Sequence, residues 1–207
     1  MSALFDHLTS LFEDGHREEI PDLLSDARFA NAERTADAAV LIAVTERREE
    51  EGGPGVILTK RPADMRDHPG QVAFPGGKLD KGEDAITAAL REAHEELELH
   101  PSKVRVIGTT DRYQTGTGFD VTPVLGVVPP NLPLKPNPSE VEDWFEAPLG
   151  LLMDHSSWTE HEVFWRGDMR RYLEMNYQGF RIWGVTAAII ANLSRRIAWH
   201  GNMERLP

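Results

Sequence analysis

Apolar positions along the chain fall into two kinds of run. Leu4, Phe5, Leu8, Leu11 and Phe12 follow helical spacing near the start. Pro21 interrupts them, and residues 21–32 suit a second short helix. This segment reads as a cap on the domain or on a partner subunit. The apolar runs 37–46 and 56–61, separated by a charged Gly-Pro turn, predict a β-hairpin. A loop and the stretch 71–77, which ends in another turn, lead to the clearest helix, 84–97. Residues 103–115 and 119–129 predict strands on either side of the Gly-rich turn 116–118. The stretch 129–138 carries five prolines and must be irregular. A strand and a short helical turn are predicted over 141–153, a second hairpin over 161–177, and a closing amphipathic helix over 184–200. This irregular alternation predicts an α/β (α+β) fold with a mixed sheet.

On the helix 84–97, Ile86, Ala89, Leu90, Ala93 and Leu97 fall within an arc of about 100° and form the apolar stripe. Glu92, Glu95 and Glu96 fall in a second arc of about 100° on the other side. Glu92 and Glu96, at i and i+4, stand one above the other. Arg91 is the only lysine or arginine between Lys81 and Lys103. Like charges at this spacing repel by a few tenths of a kcal/mol per pair. Two readings are open: a solvated acidic face, or a site whose repulsion is relieved by a divalent cation. Mg²⁺ takes a few carboxylate oxygens together with water and phosphate oxygens, which points to phosphoryl chemistry.

Composition narrows the choice. The 207 residues, 40% hydrophobic and 27% charged, suit one globular domain. The longest apolar run in the first half, 38–44, is too short to span a bilayer. Asp6, His7 and Glu13 interrupt any signal-peptide core, so a cytoplasmic location is expected. The absence of cysteine excludes disulfides and thiolate chemistry. A net charge of −12 argues against nucleic acid as partner. An anionic small substrate then needs a local basic cluster or a bound cation.

The residues around the helix are ordered with fixed spacing: Gly77, five residues, Glu83, seven residues, Arg91-Glu92, Ala93, a spacer, then Glu95-Glu96. This 23-residue pattern resembles the Nudix box. Glu98 stands where the box has glycine, near the helix end, where glycine eases the exit of the chain. The resemblance implies a Nudix fold, a mixed sheet between helices with a loop-helix-loop motif, and hydrolysis of a nucleoside diphosphate linked to another group. It also implies Mg²⁺ or Mn²⁺ as cofactor, with Glu92 and Glu96 as core ligands and Glu95 and Gly76 as further members of the metal site. Glu83 would orient Arg91 or act through water. Glu92, Glu95 and Arg91 would serve catalysis, and the base would be Glu92 or a loop acid, for which Glu140 is the candidate.

The loop before the box places Lys60, Arg61 and Arg66 near the start of the acidic helix, a candidate phosphate cradle. Leu58, Thr59, Arg61, Arg66, Gly70 and Phe74-Pro75-Gly76-Gly77 resemble the signature of coenzyme A pyrophosphatases within the Nudix superfamily. Pro62 stands where that group has serine or alanine. Substrate contacts are therefore expected from Lys60, Arg61, Arg66, Gly76 and Gly77. The implied reaction cleaves coenzyme A or a derivative to 3′,5′-ADP and a 4′-phosphopantetheine. Other expectations stay open: another substrate such as ADP-ribose or a dinucleoside polyphosphate, or a non-catalytic nucleotide sensor. His68 is a weaker phosphate contact, and Tyr113 and Phe119 are candidates for the adenine or pantetheine end. Trp144, Phe145, Trp165 and Trp183 read as core or interface. The expected organisation is a helical extension at 1–35, the catalytic domain at 36–200 and a tail at 201–207, with a homodimer and no membrane among the partner expectations.

Overall fold

The computed structural model describes residues 3–27, 36–65, 68–165 and 167–198. Helix α1 (Ala3–Gly15) is followed by strands β1 (Ala36–Thr45), β2 (Gly55–Lys60), β3 (Val72–Ala73) and β4 (Gly76–Lys78). Helix α2 (Ala85–Leu97) leads to β5 (Arg105–Thr109), β6 (Tyr113–Gln114), β7 (Phe119–Val128) and β8 (Asp143–Pro148). Helix α3 (Leu149–Met153), strands β9 (Thr159–Trp165), β10 (Asp168–Tyr177) and β11 (Phe180–Trp183), and helix α4 (Gly184–Ile197) complete the order.

Strand β1 lies at the centre of a mixed sheet with the order β3-β2-β1-β7-β5. It is covered on both faces, which accounts for its unbroken apolar run. It pairs in parallel with β7 along its whole length, from Ala36↔Phe119 to Thr45↔Val128. The expected hairpin with β2 exists only at its closed end, through Val44↔Val56 and Thr45↔Gly55. Beyond that point the two strands part, and β4 takes the place beside β1 through Ala38↔Lys78, Ala39↔Gly77 and Val40↔Gly76. Strand β8 covers the outer side of β2, from Gly55↔Pro148 to Lys60↔Asp143.

The side chains of β1 alternate between two cores. Ala39, Leu41 and Ala43 pack with Ala88, Ala89, Ala93 and Leu97 of α2. Ala38, Ile42 and Val44 belong to the opposite core with Leu8 and Phe12 of α1 and Ile189 and Leu193 of α4. Helix α1 thus caps its own domain, and each of its buried side chains contributes on the order of 1.5–3 kcal/mol. The second N-terminal helix does not form over residues 21–27; residues 28–35, like the tail 201–207, lie outside the described residues. Residues 21–27 are instead held against α4. The Asn192 side chain accepts from the Leu24 amide (2.8 Å) and donates to the Leu24 carbonyl (2.9 Å), satisfying the backbone without helix.

The second hairpin, β9–β10, extends through β11 into a three-stranded sheet among the described residues. It is joined to the main sheet by Phe180 stacked on Phe145 of β8, with centroids 3.9 Å apart. Among the described residues no helix is long and apolar enough to cross a membrane.

Candidate active site

Helix α2 starts where a side chain replaces its missing partners. Asp84 is the N-cap and accepts from the Thr87 amide at 2.9 Å. Glu83 therefore precedes the cap and is not in the first turn. The helix ends at Glu98, whose φ of 55° is left-handed and whose amide donates to the carbonyls of Ala93 and His94. A glycine would take this conformation at lower cost.

The acidic arc read from the helical wheel is divided in the structure. The buried face of α2 consists of Ala88, Ala89, Ala93, Glu96 and Leu97, while Ile86 and Leu90 are only partly covered. The three alanines let the helix lie close to β1 and bring Glu96 inward. Glu96 is 4% exposed, whereas the side chain of Glu95 is 51% exposed.

One carboxylate oxygen from each of Glu92, Glu96 and Glu140 lies within 4.8 Å of the others. Glu140 reaches this group because its loop is tied at both sides. The Asn137 amide donates to the Glu96 carbonyl (2.8 Å), the Glu140 amide to the Asn137 carbonyl (3.0 Å) and the Glu142 amide to the Lys60 carbonyl (2.8 Å). Burial, followed by the charges of Glu92 and Glu140, pushes Glu96 up to about 8, against the opposing pull of the Gly76 amide and Arg61. Burial also raises Glu92, against Arg91. The Oε2 atom of Glu96 is buried without a hydrogen-bond partner among the described residues. Such an orphan costs about 1–3 kcal/mol or more. Three converging hard oxygen donors with one buried lone acceptor fit a divalent cation such as Mg²⁺ or Mn²⁺.

Arg91 fixes the outer side of the group. Its Nε and Nη2 donate to the two oxygens of Glu83 (3.0 and 2.9 Å), and Nη1 donates to Glu92 (2.8 Å) and Glu95 (3.2 Å). The Asp80 amide also donates to Glu83 (2.9 Å). Hydrogen bonding to Glu83, chiefly, raises Arg91 and holds it charged. Arg91 is thus a positioning residue for Glu92. Glu95 shares this guanidinium and stands apart from the three-carboxylate group.

The paired glycines approach the site through their backbone. A β-carbon at Gly76 would lie 2.4 Å from the Ala39 carbonyl oxygen, and one at Gly77 would lie 2.5 Å from the carboxyl carbon of Glu92. Gly77 therefore makes room for Glu92. Of the expected cradle, Arg61 is near enough for its charge to act on Glu96, and its Nε is buried without a partner among the described residues. Lys60 forms an ion pair with Glu142 at 2.7 Å, which braces the Glu140 loop. Arg66 lies outside the described residues. Tyr113 is buried, and Phe119 carries the Lys78 ammonium 5.4 Å from its ring centre. The tether through Asn137 had no signal in the sequence beyond its place in the Pro-rich loop.

The sequence matches the NUDIX domain family over residues 35–165. It is 42% identical over 161 residues to the "Uncharacterized Nudix hydrolase NudL" of Escherichia coli (strain K12), covering 77% of this chain and 82% of that protein. Two solved structures share the fold. The Nudix hydrolase RenU from M. smegmatis aligns over 83% of this chain and 89% of its own, with a TM-score of 0.51 at 21% identity. A MutT/nudix family protein from Enterococcus faecalis aligns over 100% of this chain and 78% of its own, with a TM-score of 0.51 at 15% identity. The family match, the identity to NudL and the box on α2 agree: the chain belongs to the Nudix hydrolase family.

Proposed function

We propose that this Nudix hydrolase cleaves the diphosphate of coenzyme A or its derivatives, giving 3′,5′-ADP and a 4′-phosphopantetheine. The observation that carries the reading is the place of Arg61, Gly76 and Gly77 beside the clustered carboxylates. Of the signature residues, Arg61 follows β2 and its charge acts on Glu96, the Gly76 amide bonds Glu96, and Gly77 lies against Glu92. Three residues of the coenzyme A pattern thus lie beside the carboxylates proposed to perform hydrolysis, which supports the reading.

Glu92, Glu96 and Glu140 would hold the divalent cation. When bound, such an ion lowers the pKa of water and offsets charge on phosphoryl oxygens. Arg61 sets its guanidinium against the anionic diphosphate, and Arg66 is proposed to join it. Glu140, on a tied loop and outside the α2 pair, is the proposed base that takes the proton from the attacking water. Arg91 keeps Glu92 in place through that step. The buried alanine face of α2 keeps bulk water from behind the carboxylates. Incubating the protein with coenzyme A, with and without Mg²⁺ or Mn²⁺, and identifying the products tests the reading. Metal-dependent release of 3′,5′-ADP supports it.

A further inference from the structure

Glu140 stands on a stretch of chain with little to bury. From Lys135 to Ser139 there is no leucine, isoleucine, valine or aromatic side chain, and Pro138 and Ser139 are exposed. The apolar anchors lie on either side. Leu134 packs against the core beneath α2, and Val141, 2% exposed, is part of that core. Between these anchors the chain is placed by hydrogen bonds and by proline geometry.

Two amides dock the stretch on the end of α2. The Lys135 amide donates to the Leu97 carbonyl (2.9 Å), and the Asn137 amide donates to the Glu96 carbonyl (2.8 Å). Both carbonyls belong to the last turn, where the helix offers them no partner. The chain then reverses over residues 137–140, closed by the Glu140 amide on the Asn137 carbonyl (3.0 Å). Asparagine in the first place and proline in the second suit such a turn. Pro136 and Pro138 fix φ at their own positions, and Pro138 also disfavours the helical conformation at Asn137.

The Asn137 side chain adds a second clamp. Its Oδ1 accepts from the Ser139 amide (3.2 Å) and from the Ser139 hydroxyl (2.7 Å). Only the oxygen can accept from an N–H, so Nδ2 faces the other way, and it stands 3.5 Å from Oε1 of Glu140. Asn137 thus touches both sides of the site. Its backbone bonds the residue that carries one carboxylate, and its side chain braces the turn that carries another. The clamp has a force to oppose. Glu140 offers an oxygen within 4.8 Å of those of Glu92 and Glu96, and like charges at that range repel. An acid on an exposed turn relieves such repulsion by swinging outward unless it is held.

We propose that Asn137 is the positioning residue for the third carboxylate: its side chain clamps the turn 137–140, presents Glu140 to Glu92 and Glu96, and thereby sets the affinity for the divalent cation and the rate of hydrolysis. This rests on the role proposed for Glu140 above, as cation ligand and base. The test measures Mn²⁺ affinity by calorimetry without substrate, and kcat and KM for coenzyme A, in the wild type, Asn137→Ala, Glu140→Gln and the double variant. Asn137→Ala should weaken Mn²⁺ binding and lower kcat by about ten- to a hundredfold each, as for losing the partner of a metal ligand. KM for coenzyme A should change by less than about threefold, because Arg61 is untouched. Since Asn137 acts through Glu140, the loss should vanish when Asn137→Ala is added to Glu140→Gln. Ser139→Ala removes only the hydroxyl bond to Oδ1. It should give a smaller loss in both readouts, and it carries the test should Asn137→Ala not fold. An equal loss in both backgrounds, or a change confined to KM, marks a merely structural residue and overturns the proposal. Wild-type affinity and kcat in Asn137→Ala and Ser139→Ala overturn it too. A wild type that binds Mn²⁺ but leaves coenzyme A uncut defeats the coenzyme A reading, and the Mn²⁺ affinities still decide the role of Asn137.

Discussion

Gly77 and the carboxylate of Glu92 are in direct contact: a β-carbon on Gly77 would stand 2.5 Å from the carboxyl carbon and 2.6 Å from Oε1. Gly77→Ala must therefore push aside the free end of a side chain, which costs the fold little. The displaced group is one of the three clustered carboxylates, and a shift of about 1 Å there is expected to lower hydrolysis by about a hundredfold. Gly76→Ala meets backbone instead, the Ala39 carbonyl at 2.4 Å and Val40 Cα at 2.6 Å. It should cost about 1–3 kcal/mol or more of stability through overpacking. Urea unfolding and steady-state rates of the two variants separate these effects. A Gly77→Ala enzyme of wild-type rate would show that the position of Glu92 is unimportant.

Glu96→Gln keeps the shape of the buried side chain and removes its charge. Hydrolysis should fall by roughly two to four orders of magnitude. Without metal, the buried carboxyl of the wild type stays protonated up to about 8, from an ordinary 4.5. Between those values the unfolded chain releases the proton and the folded chain retains it, so folded stability falls as pH rises. Added Mg²⁺ or Mn²⁺ should offset this fall in the wild type and shift Tm upward. In Glu96→Gln both the slope between pH 4.5 and 8 and the metal-induced shift should shrink. Thermal unfolding across that range, with metal and with a chelator, provides the check.

Arg61 and Arg66 carry the basic part of the expected cradle. Arg61→Ala should lower kcat/KM for every diphosphate substrate by about ten- to a hundredfold, as for a lost charged hydrogen bond of roughly 1.5–3 kcal/mol. Arg66→Ala should weaken coenzyme A more than dephospho-coenzyme A if Arg66 contacts the 3′-phosphate. Equal losses on the two would assign Arg66 to the diphosphate or to the fold.

Arg196 of α4 binds both Asp111 and the end of α1. Arg196 Nε donates to Asp111 at 2.8 Å, and its Nη1 donates to the carbonyls of Gly15 (2.9 Å) and Glu18 (2.6 Å). Burial pushes the Asp111 carboxyl up, but the Arg196 guanidinium outweighs it and holds the group below its ordinary 3.8. The pair thus contributes stability above pH 3.8, and that contribution is lost as pH falls through the depressed value. Asp111→Ala should cost about 3 kcal/mol at neutral pH by stranding a buried arginine. The gap from wild type should narrow in strong acid, which urea titrations at neutral and low pH would reveal.

Much of the site was legible because its chemistry is local. The i, i+4 spacing of Glu92 and Glu96 and the glycine pair before the helix follow directly from the order of residues. The burial of Glu96 was not legible, because a helical wheel groups it with the exposed Glu95. The close seat of α2 on β1, allowed by Ala88, Ala89 and Ala93, decides otherwise. Glu140 stood out only as an acid after a Pro-rich loop. Its place in the group depends on backbone bonds from Asn137 to Glu96 and from Glu142 to Lys60, between segments far apart in sequence. Adjacency made Lys60 resemble Arg61, yet neighbours at the end of a strand point to opposite faces, and Lys60 meets Glu142. The parallel pairing of β1 with β7 is long-range, so the apolar run read as half of a hairpin. Trp165 and Trp183 read as core or interface, and only the fold brings them to one cavity with Phe74 and Phe119.

The most direct measurement is kcat/KM for coenzyme A, ADP-ribose and a dinucleoside polyphosphate in the presence of Mg²⁺, with the products of each identified. Coenzyme A should have the highest value and yield 3′,5′-ADP and 4′-phosphopantetheine, and a chelator should abolish the reaction. A far higher kcat/KM for ADP-ribose or the dinucleoside polyphosphate would contradict the coenzyme A assignment, leaving a Nudix hydrolase of another substrate.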